Sequence, residues 1–284
     1  MLYYIENEFL KAGIKTHGAE LTTLKSKATD IEYLWQGDPS VWKGQSPVLF
    51  PIIGRVLDDK YYLDGKEYSL PKHGFFRNRD AEFVSQTDTS VTFVQKNDAE
   101  TIKMFPYAFE VFVTFELIGK SIKVTHTVKN LNDNAMYFSI GAHPAFNCKI
   151  GDCLLFEKNE NLDTVSIDSE CLRTDERIPV LRENNRIVIT KDIFNQDALI
   201  FTGMQSKYIT LASESHGRQV KFDYSNCPYL GIWAKPGAPY VCLEPWWGVN
   251  DSHEKKADFS QKDAIQSVPA GENFSCYWQA EIIE

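Results

Sequence analysis

Two neighbouring segments alternate apolar and polar side chains with a period of two residues. In residues 109–117 every odd position is apolar and the even positions are mostly polar, and residues 122–129 alternate in the same way. That period is typical of strands with one buried face. Because Gly119 and Lys120 supply a turn between the two segments, the pattern predicts an antiparallel β-hairpin.

Short runs of similar character recur along the chain, with turns rich in Asn, Asp and Gly between them. This organisation predicts an all-β fold, a large antiparallel β-sandwich with few short helices. The helices are expected at residues 38–43 and 98–105. The polar residues 159–185 are expected to run over the surface as loop and short strand, and residues 249–266 as a solvated excursion. The other predicted strands are residues 31–35, 81–84, 91–95, 136–140, 186–190, 198–201, 208–212, 219–224, 229–234, 240–244 and 274–282.

The chain has 284 residues and is 43% apolar, which is enough for a substantial core, and an all-β protein of this length can be one domain. Neither a low-complexity linker nor an internal repeat divides it. Residues 1–284 are therefore expected to form a single domain. The six cysteines have no Cys-x-x-Cys spacing, so free buried thiols are expected.

The charge of the chain limits its partners. It has 39 acidic and 30 basic residues, a net charge of −9, which disfavours binding to nucleic acid or to anionic lipid. No run approaches the ~20 apolar residues of a membrane span, and the first residues lack an apolar stretch of secretory length. We expect a cytoplasmic protein with a small-molecule partner, as a monomer or a homodimer.

Three short segments place titratable side chains among aromatic rings. They are KHGFFR at residues 72–77, GAHPAFN at residues 141–147 and CLEPWWG at residues 242–248. Sugars stack their C–H faces on aromatic rings while their hydroxyls take hydrogen bonds, and imidazole and carboxylate groups transfer protons. The three segments therefore indicate acid–base chemistry on a polyhydroxylated substrate.

Four motifs in chain order resemble those of the aldose 1-epimerase (galactose mutarotase-like) family. They are SPVLFPIIGR at residues 46–55, HGF at 73–75, GAHPAF at 141–146 and CLEP at 242–245, and the forms GAHPAFN and EPWWG are similar to its LacX-like bacterial branch. The resemblance spans essentially the whole chain. It implies a galactose mutarotase-like supersandwich and an isomerase that interconverts the α and β anomers of a free hexose. Such a reaction starts and ends with the same atoms, so we expect no cofactor and no metal.

Two residues are expected to be catalytic. Glu244 is the expected general base, because an apolar stretch leads into it and a carboxylate desolvated among aromatic rings has its pKa raised toward neutrality. The alternative is a strand-end glutamate in a surface ion pair. His143 is the expected general acid, a role that the resembled family gives to the histidine of this motif. The alternative for His143 is a core histidine that binds the backbone.

Two further residues are expected to hold the hemiacetal. The resemblance makes His73 a hydrogen-bonding partner at the ring oxygen or a neighbouring hydroxyl, and an exchange of roles between His73 and His143 stays open. The alternative for His73 is a loop histidine with only structural hydrogen bonds. The planar guanidinium of Arg55 can grip vicinal hydroxyls or orient Glu244. An exposed loop arginine is the alternative for Arg55.

An aspartate and a tryptophan complete the expected substrate site. The resembled family uses an aspartate ahead of an apolar strand to hold a sugar hydroxyl, and Asp197 is the best positional match. Ala198 stands where a histidine is expected, so a turn-capping role is the alternative for Asp197. Trp233 is the expected stacking surface, because its strand directly precedes that of Glu244. His126, in an apolar slot of the hairpin without a flanking motif, is expected to be structural.

Two other functions fit the same residues. Lys72, Arg77 and Arg79 lie near His73 in the sequence, and such a basic group would favour a phosphate on C6, as in the related hexose-6-phosphate epimerases. The other alternative is a carbohydrate-binding or regulatory protein that keeps the pocket without turnover, because a fold does not guarantee catalysis.

Overall fold

The computed structural model describes residues 1–213 and 217–284, and β-strands dominate it. None of the helices in these ranges has the length and apolar character needed to cross a bilayer. The helices are α1 (Thr101–Met104) and three 3₁₀ turns at Leu57–Asp59, Phe76–Asn78 and Phe259–Gln261. The strands are β1 (Leu2–Glu6), β2 (Leu10–Lys15), β3 (Glu20–Ser26), β4 (Val48–Leu49), β5 (Lys60–Leu63), β6 (Lys66–Ser69), β7 (Glu82–Gln86), β8 (Ser90–Lys96), β9 (Phe109–Ile118), β10 (Ser121–Asn130), β11 (Met136–Phe138), β12 (Ile140–Ala142), β13 (Ala145–Asn147), β14 (Cys153–Ile167), β15 (Arg173–Val188), β16 (Leu199–Thr202), β17 (Tyr208–Ala212), β18 (Gln219–Asp223), β19 (Tyr229–Trp233), β20 (Tyr240–Trp247), β21 (Gln266–Val268) and β22 (Asn273–Ile283).

Two antiparallel sheets form the bulk of the fold. The larger has nine strands in the order β15-β14-β17-β18-β22-β10-β9-β8-β7. The smaller has six strands, ordered β16-β19-β20-β12-β4 with β13 also paired to β20. The remaining strands form the small sheets β1-β2-β3, β11-β21 and β5-β6. The prediction of an all-β, antiparallel fold is confirmed.

The alternating segments of the sequence form the predicted hairpin within the larger sheet. β9 and β10 pair antiparallel, with Val124 opposite Phe115 and His126 opposite Val113, and β22 pairs with the other edge of β10. The odd residues of β9 are buried because one face of the strand packs into the core. His126 belongs to the buried face, and neither of its ring nitrogens has a hydrogen-bond partner among the described residues.

Aromatic side chains join the two main sheets. The ring of Phe146 in β13 lies 6.0 Å from that of Phe222 in β18, and the ring of Phe156 in β14 lies 6.1 Å from that of Phe201 in β16. All four rings are buried, and edge-to-face contacts of this kind add to the stabilisation from apolar burial. The larger apolar core therefore lies between the sheets, as in a sandwich.

The central strand of the smaller sheet, β20, is buried along its whole length. Gly231 of β19 lies opposite Glu244, and Gly141 of β12 lies opposite Trp246. A Cβ atom at Gly231 would come within 2.6 Å of the Trp246 ring, and one at Gly141 within 2.9 Å. Both positions require glycine because the indole packs directly on the neighbouring backbone.

Several local predictions are wrong. Residues 38–43 form a turn in which the amides of Val41 and Trp42 both donate to the Asp38 carbonyl, and residues 98–105 contain only the one turn of α1. Such short segments lack the cooperative bonds of a longer helix. Residues 31–35 contribute isolated bridges at Glu32 and Leu34 rather than a strand.

The polar residues 159–185 also differ from the prediction, because most of them belong to a long hairpin of β14 and β15. These strands are partly exposed on both faces over much of their length. Their apolar residues therefore do not alternate regularly, and the period-two signal is lost. The hairpin contains several register shifts, and its turn approaches the cavity described next.

Candidate active site

A cavity of about 290 Å³ lies against β19 and β20. Five of the six residues that the sequence nominated for the site line this cavity: His73, His143, Asp197, Trp233 and Glu244. The sixth, Arg55, does not. The fold therefore brings the two motif histidines and the motif glutamate, which are far apart in the sequence, to one cavity.

Glu244 is 1% exposed, and both of its carboxylate oxygens have a partner. The indole Nε1 of Trp246 donates to Oε2 at 3.2 Å, and Oε1 lies 3.1 Å from Nε2 of His143. Burial raises the pKa of Glu244 well above its usual range, because the charged form loses its hydration. A surface ion pair, the alternative for this residue, does not match its position.

His143 lies between β12 and β13, and two indoles flank its ring. The ring centroids are 5.1 Å from Trp42 and 5.6 Å from Trp233. Burial lowers the pKa of His143 to about 3, because an imidazolium in this position would be desolvated. Nδ1 has no hydrogen-bond partner among the described residues, so Nε2, which faces Glu244, is the nitrogen positioned for proton transfer.

The contact between Glu244 and His143 can hold one proton in surroundings that disfavour net charge. Burial raises the pKa of the carboxyl group and lowers the pKa of the imidazole, and both shifts favour the neutral forms, with the shared proton on Glu244. Moving that proton across the 3.1 Å contact gives a carboxylate and an imidazolium whose charges compensate each other. The titration belongs to the pair, and the same pair can supply a base and an acid.

His73 is held by two backbone contacts to Gly54. Its amide donates to the Gly54 carbonyl at 2.6 Å, and the Gly54 amide donates to Nδ1 of His73 at 3.1 Å. Because Nδ1 accepts a hydrogen bond, the neutral ring carries its proton on Nε2. Burial lowers the pKa of His73 well below its usual range. His73 is therefore a neutral hydrogen-bond donor, and the arrangement favours His143 as the acid.

The local backbone explains why His73 is followed by glycine. His73 and Gly74 have φ values of 64° and 67°, in the left-handed region that glycine adopts at little cost. A Cβ atom on Gly74 would lie 2.2 Å from the carbonyl oxygen of Phe50. The segment can therefore pack closely against the backbone around Phe50 and Pro51. In this arrangement the imidazole of His73 lines the cavity.

Three tryptophans contribute flat surfaces to the cavity: Trp42, Trp233 and Trp246. Trp42 and Trp233 meet edge to face, with centroids 5.7 Å apart and an angle of 76° between the rings. Sugar C–H faces stack on such surfaces. Trp233 was predicted from the sequence. Trp42 was missed because it fell within the predicted helix at residues 38–43, where the structure has a turn.

Asp197 lies on the cavity wall and also caps a turn. Its φ is 73°, and its Oδ1 accepts a hydrogen bond from the amide of Ala198 at 2.8 Å. Its negative charge adds to burial in raising the pKa of Glu244. The second carboxylate oxygen has no such local bond in the described structure, so turn capping does not prevent Asp197 from binding a ligand.

Lys72 and Arg77 also line the cavity. Arg77 Nη2 donates to the Lys72 carbonyl at 3.1 Å, and Lys72 Nζ lies 3.1 Å from the Cys171 sulfur. Neither cation forms an ion pair with a carboxylate in the described part of the chain, whereas Arg79 pairs with Asp98. The cavity thus presents two positive charges without a described anionic partner.

Arg55 does not match the role predicted for it. Its Nε and Nη2 donate to the two carboxylate oxygens of Asp59 at 2.5 and 2.6 Å, and Nη1 donates to the Glu170 carbonyl at 3.3 Å. The guanidinium is thereby committed away from the cavity, which its neighbour Gly54 lines instead. A bidentate pair holds an arginine in one orientation, so Arg55 orders this loop and does not orient Glu244.

Sequence reasoning missed several lining residues, including Cys171 and Asn250. Asn250 is 3% exposed, its Nδ2 donates to the Cys171 carbonyl at 2.8 Å, and its Oδ1 has no partner among the described residues. Both residues come from segments that were expected to lie in solvent. The only sequence signal for Asn250 was that it follows the motif at residues 242–248 within two positions.

Comparison with known proteins gives one family and close relatives in sequence. The sequence profile of the family described as aldose 1-epimerase matches residues 1–267. Two LacX proteins of Lactococcus lactis subsp. lactis, one plasmid-borne and one chromosomal, are each 32% identical over 284 residues, covering 94% of this chain and 95% of the relative.

Solved structures give the same picture for the fold. A galactose mutarotase related enzyme from Lactobacillus acidophilus superposes with a TM-score of 0.95 at 31% identity, covering 100% of this chain and 98% of the other. A galactose mutarotase-like protein from Lactobacillus casei has a TM-score of 0.95 at 33% identity, with 100% of both chains covered. The predicted galactose mutarotase-like sandwich is confirmed.

Proposed function

Because this chain belongs to the aldose 1-epimerase family, we propose that it interconverts the α and β anomers of a free hexose by general acid–base catalysis. The observation that carries the proposal is the 3.1 Å contact between His143 Nε2 and Glu244 Oε1, inside a cavity walled by tryptophans. An acid and a base in contact with one another suit a reaction that removes one proton and adds another.

The reaction begins with the pair in its carboxylate and imidazolium form. Glu244 takes the proton of the C1 hydroxyl while His143 gives its proton to the ring oxygen, and the bond between C1 and the ring oxygen breaks. The products are the open-chain aldehyde, a protonated Glu244 and a neutral His143. Rotation about C1–C2 then presents the other face of the aldehyde, and ring closure returns each proton to its origin.

The other cavity residues would bind the sugar rather than exchange protons with it. His73, a neutral donor, can bind the ring oxygen or a neighbouring hydroxyl, and the free oxygen of Asp197 can accept from a hydroxyl. Trp233 and Trp42 can stack on the C–H face. Such contacts hold the hemiacetal in register with the acid and the base, which contributes to the rate through positioning.

Polarimetry tests the proposal. Freshly dissolved α-glucose and α-galactose should approach equilibrium faster with the protein than without it, and Glu244→Gln should remove most of that acceleration. If the wild type leaves both curves unchanged while sugars still quench its tryptophan fluorescence, the protein is a carbohydrate binder without turnover and the proposal is wrong.

A second candidate, a hexose-6-phosphate 1-epimerase, is favoured by one observation. Lys72 and Arg77 line the cavity without a described carboxylate partner, and a phosphate group would bind to such cations. Anomer exchange measured by NMR on glucose, galactose and their 6-phosphates separates the candidates. A strong preference for the phosphates that Arg77→Ala removes and Arg79→Ala retains would displace the free hexose as substrate.

A further inference from the structure

Cys242 lies beside the catalytic pair, in a place that the proposed reaction does not use. It precedes Glu244 by two positions on β20, and residues two apart on a strand project from the same face. A ring nitrogen of His143, the sulfur of Cys242 and a carboxylate oxygen of Glu244 all lie within 4.8 Å of one another. All three residues are buried.

The distances between these three ligand atoms are close to those found in a metal site. Bond lengths of about 2.0–2.3 Å to nitrogen, oxygen and sulfur in tetrahedral zinc sites correspond to ligand–ligand distances of roughly 3.3–3.8 Å. The longest separation in the cluster therefore needs to shrink by only about 1 Å, within the range of small side-chain rotations. The second carboxylate oxygen is already held by Trp246, which fixes the plane of the group.

The ligand types determine which cation fits. Thiolate and imidazole ligands favour Zn²⁺ and similar soft or borderline ions, whereas Mg²⁺ and Ca²⁺ prefer oxygen. Three protein ligands leave a fourth tetrahedral position for water or a substrate oxygen. Because His143 and Glu244 line the cavity, a cation that enters from solvent can reach the cluster.

We propose that His143, Cys242 and Glu244 form an inhibitory binding site for Zn²⁺ or a similar thiophilic divalent cation. Binding converts the Cys242 thiol to a thiolate and Glu244 to a carboxylate, and the protons pass to solvent, so the bound ion faces two negative ligands and one neutral imidazole. The ion then occupies the atoms that exchange protons with the sugar. Inhibition rests on the proposed function, whereas binding of the ion does not.

A second thiol, Cys171, is a poor competitor for the cation and serves as the matched control. Cys171 also lines the cavity, but its sulfur lies 3.1 Å from the Lys72 ammonium, which repels a divalent cation. No histidine or carboxylate joins Cys171 in a cluster of metal-ligating groups in the described part of the chain. A thiol-dependent metal response should therefore follow Cys242 and not Cys171.

Cobalt binding tests the site independently of catalysis. CoCl₂ titrated into the metal-free protein should produce the near-ultraviolet charge-transfer band of a cobalt thiolate, and equimolar ZnCl₂ should remove it. Cys242→Ser should lose the band and Cys171→Ser should keep it, with circular dichroism checking that each variant is folded. Absence of the band in the wild type, or its loss only in Cys171→Ser, overturns the proposal.

Two further measurements complete the test. X-ray absorption at the zinc edge of the zinc-loaded wild type should report one sulfur neighbour per ion. This measurement does not depend on whether a variant folds. A zinc ion without a sulfur neighbour would overturn the proposal. In the polarimetric assay, ZnCl₂ should slow mutarotation in proportion to the fraction of protein that binds the ion. EDTA should reverse the effect, MgCl₂ should have no effect, and Cys242→Ser should be less sensitive to ZnCl₂. If the metal-free protein has no activity, the proposed function fails while the cobalt band still decides the metal site.

Discussion

Two buried histidines of this protein have similarly lowered pKa values and different surroundings. His126 is fully buried and His143 is 8% exposed, and burial lowers the pKa of His143 to about 3 and that of His126 to about 4. His143 lines a cavity and contacts Glu244. His126 lies in the middle of the hairpin of β9 and β10, and neither of its nitrogens has a partner among the described residues.

The comparison teaches that a displaced pKa does not identify a functional histidine. Desolvation alone accounts for the lowered pKa of His126, and it is also the largest cause for His143. What separates them is a second titratable group at hydrogen-bond distance and a cavity that admits a ligand. Perturbed titration indicates a site only together with such geometry.

The largest effect on catalysis is expected for a change at Glu244, the carboxylate that contacts His143 and has no counterpart beside His126. Glu244→Gln keeps the shape and the hydrogen bond from Trp246 but cannot accept the proton, so kcat should fall by up to about 10⁴-fold. KM should change little, because the amide still accepts hydrogen bonds. The initial rate of mutarotation measures both parameters. Near-normal kcat in a folded Glu244→Gln variant would remove Glu244 as the base.

His143→Asn should lower kcat by about 10³-fold, somewhat less than the change at Glu244. The reason is that His73 lies near, with its ring centroid 6.1 Å from that of His143, and under the proposed mechanism could still donate a hydrogen bond to the ring oxygen. The matched change His126→Leu should leave kcat unchanged. A loss of kcat in His126→Leu would contradict a purely structural role for His126. A loss of kcat below about 10²-fold in His143→Asn would contradict an acid role for His143.

Burial of His126 in its neutral form should make the stability of the protein depend on pH. The unfolded chain protonates His126 below about pH 6.5, whereas the folded chain does so only below about pH 4. Between these values the unfolded state binds more protons, so the free energy of unfolding decreases as pH falls, by on the order of 3 kcal/mol in total from this residue.

His126→Leu removes that contribution. Urea denaturation at pH 4.5 and pH 7 should therefore show a smaller difference in the free energy of unfolding for His126→Leu than for the wild type. Both proteins keep His143 and His73, so the difference between them reports His126 alone. Equal pH dependence in the two proteins would mean that His126 is not buried in its neutral form.

The smallest effect is expected on the pKa of His143, and it distinguishes the cause of that shift from the cause of the shift at His126. The positive charge of Arg77 adds to burial in lowering the pKa of His143, whereas no charged group contributes for His126. Arg77→Met should raise the pKa of His143 and leave that of His126 in place, as followed by the NMR shifts of the ring protons with pH. Arg79→Met, which removes a cation paired with Asp98, is the control and should shift neither.

The periodic segments and the motifs were readable from the sequence. The hairpin of β9 and β10 follows from its alternation, and HGF, GAHPAF and CLEP identify His73, His143 and Glu244. Each of these signals is local, because a strand face or a turn is specified by a few adjacent residues. Asp197 and Trp233 were found by their positions ahead of or within strands.

Other residues of the cavity carried no local signal. Asn250 and Cys171 lie in polar segments that looked solvated, and Trp42 lies in a segment that looked helical. Arg55 occupies a motif position, yet Asp59, four residues further on, takes its guanidinium. For Asn250, Cys171 and Trp42 the outcome depended on which distant segment packs against the residue, and that is a property of the tertiary fold.

By itself the sequence determined an all-β sandwich of a particular family and nominated His73, His143 and Glu244 for its site, because alternation and motif chemistry are encoded over a few residues at a time. Only the tertiary structure decided that His143 contacts Glu244 while neither ring nitrogen of His126 has a partner among the described residues. It also decided that ligand atoms of Cys242, His143 and Glu244 lie within 4.8 Å of one another, and that the Arg55 guanidinium is held away from the cavity by Asp59. The contact between His143 and Glu244 depends on packing between segments that are far apart in the sequence, where desolvation and contact distance set the chemistry of each residue type.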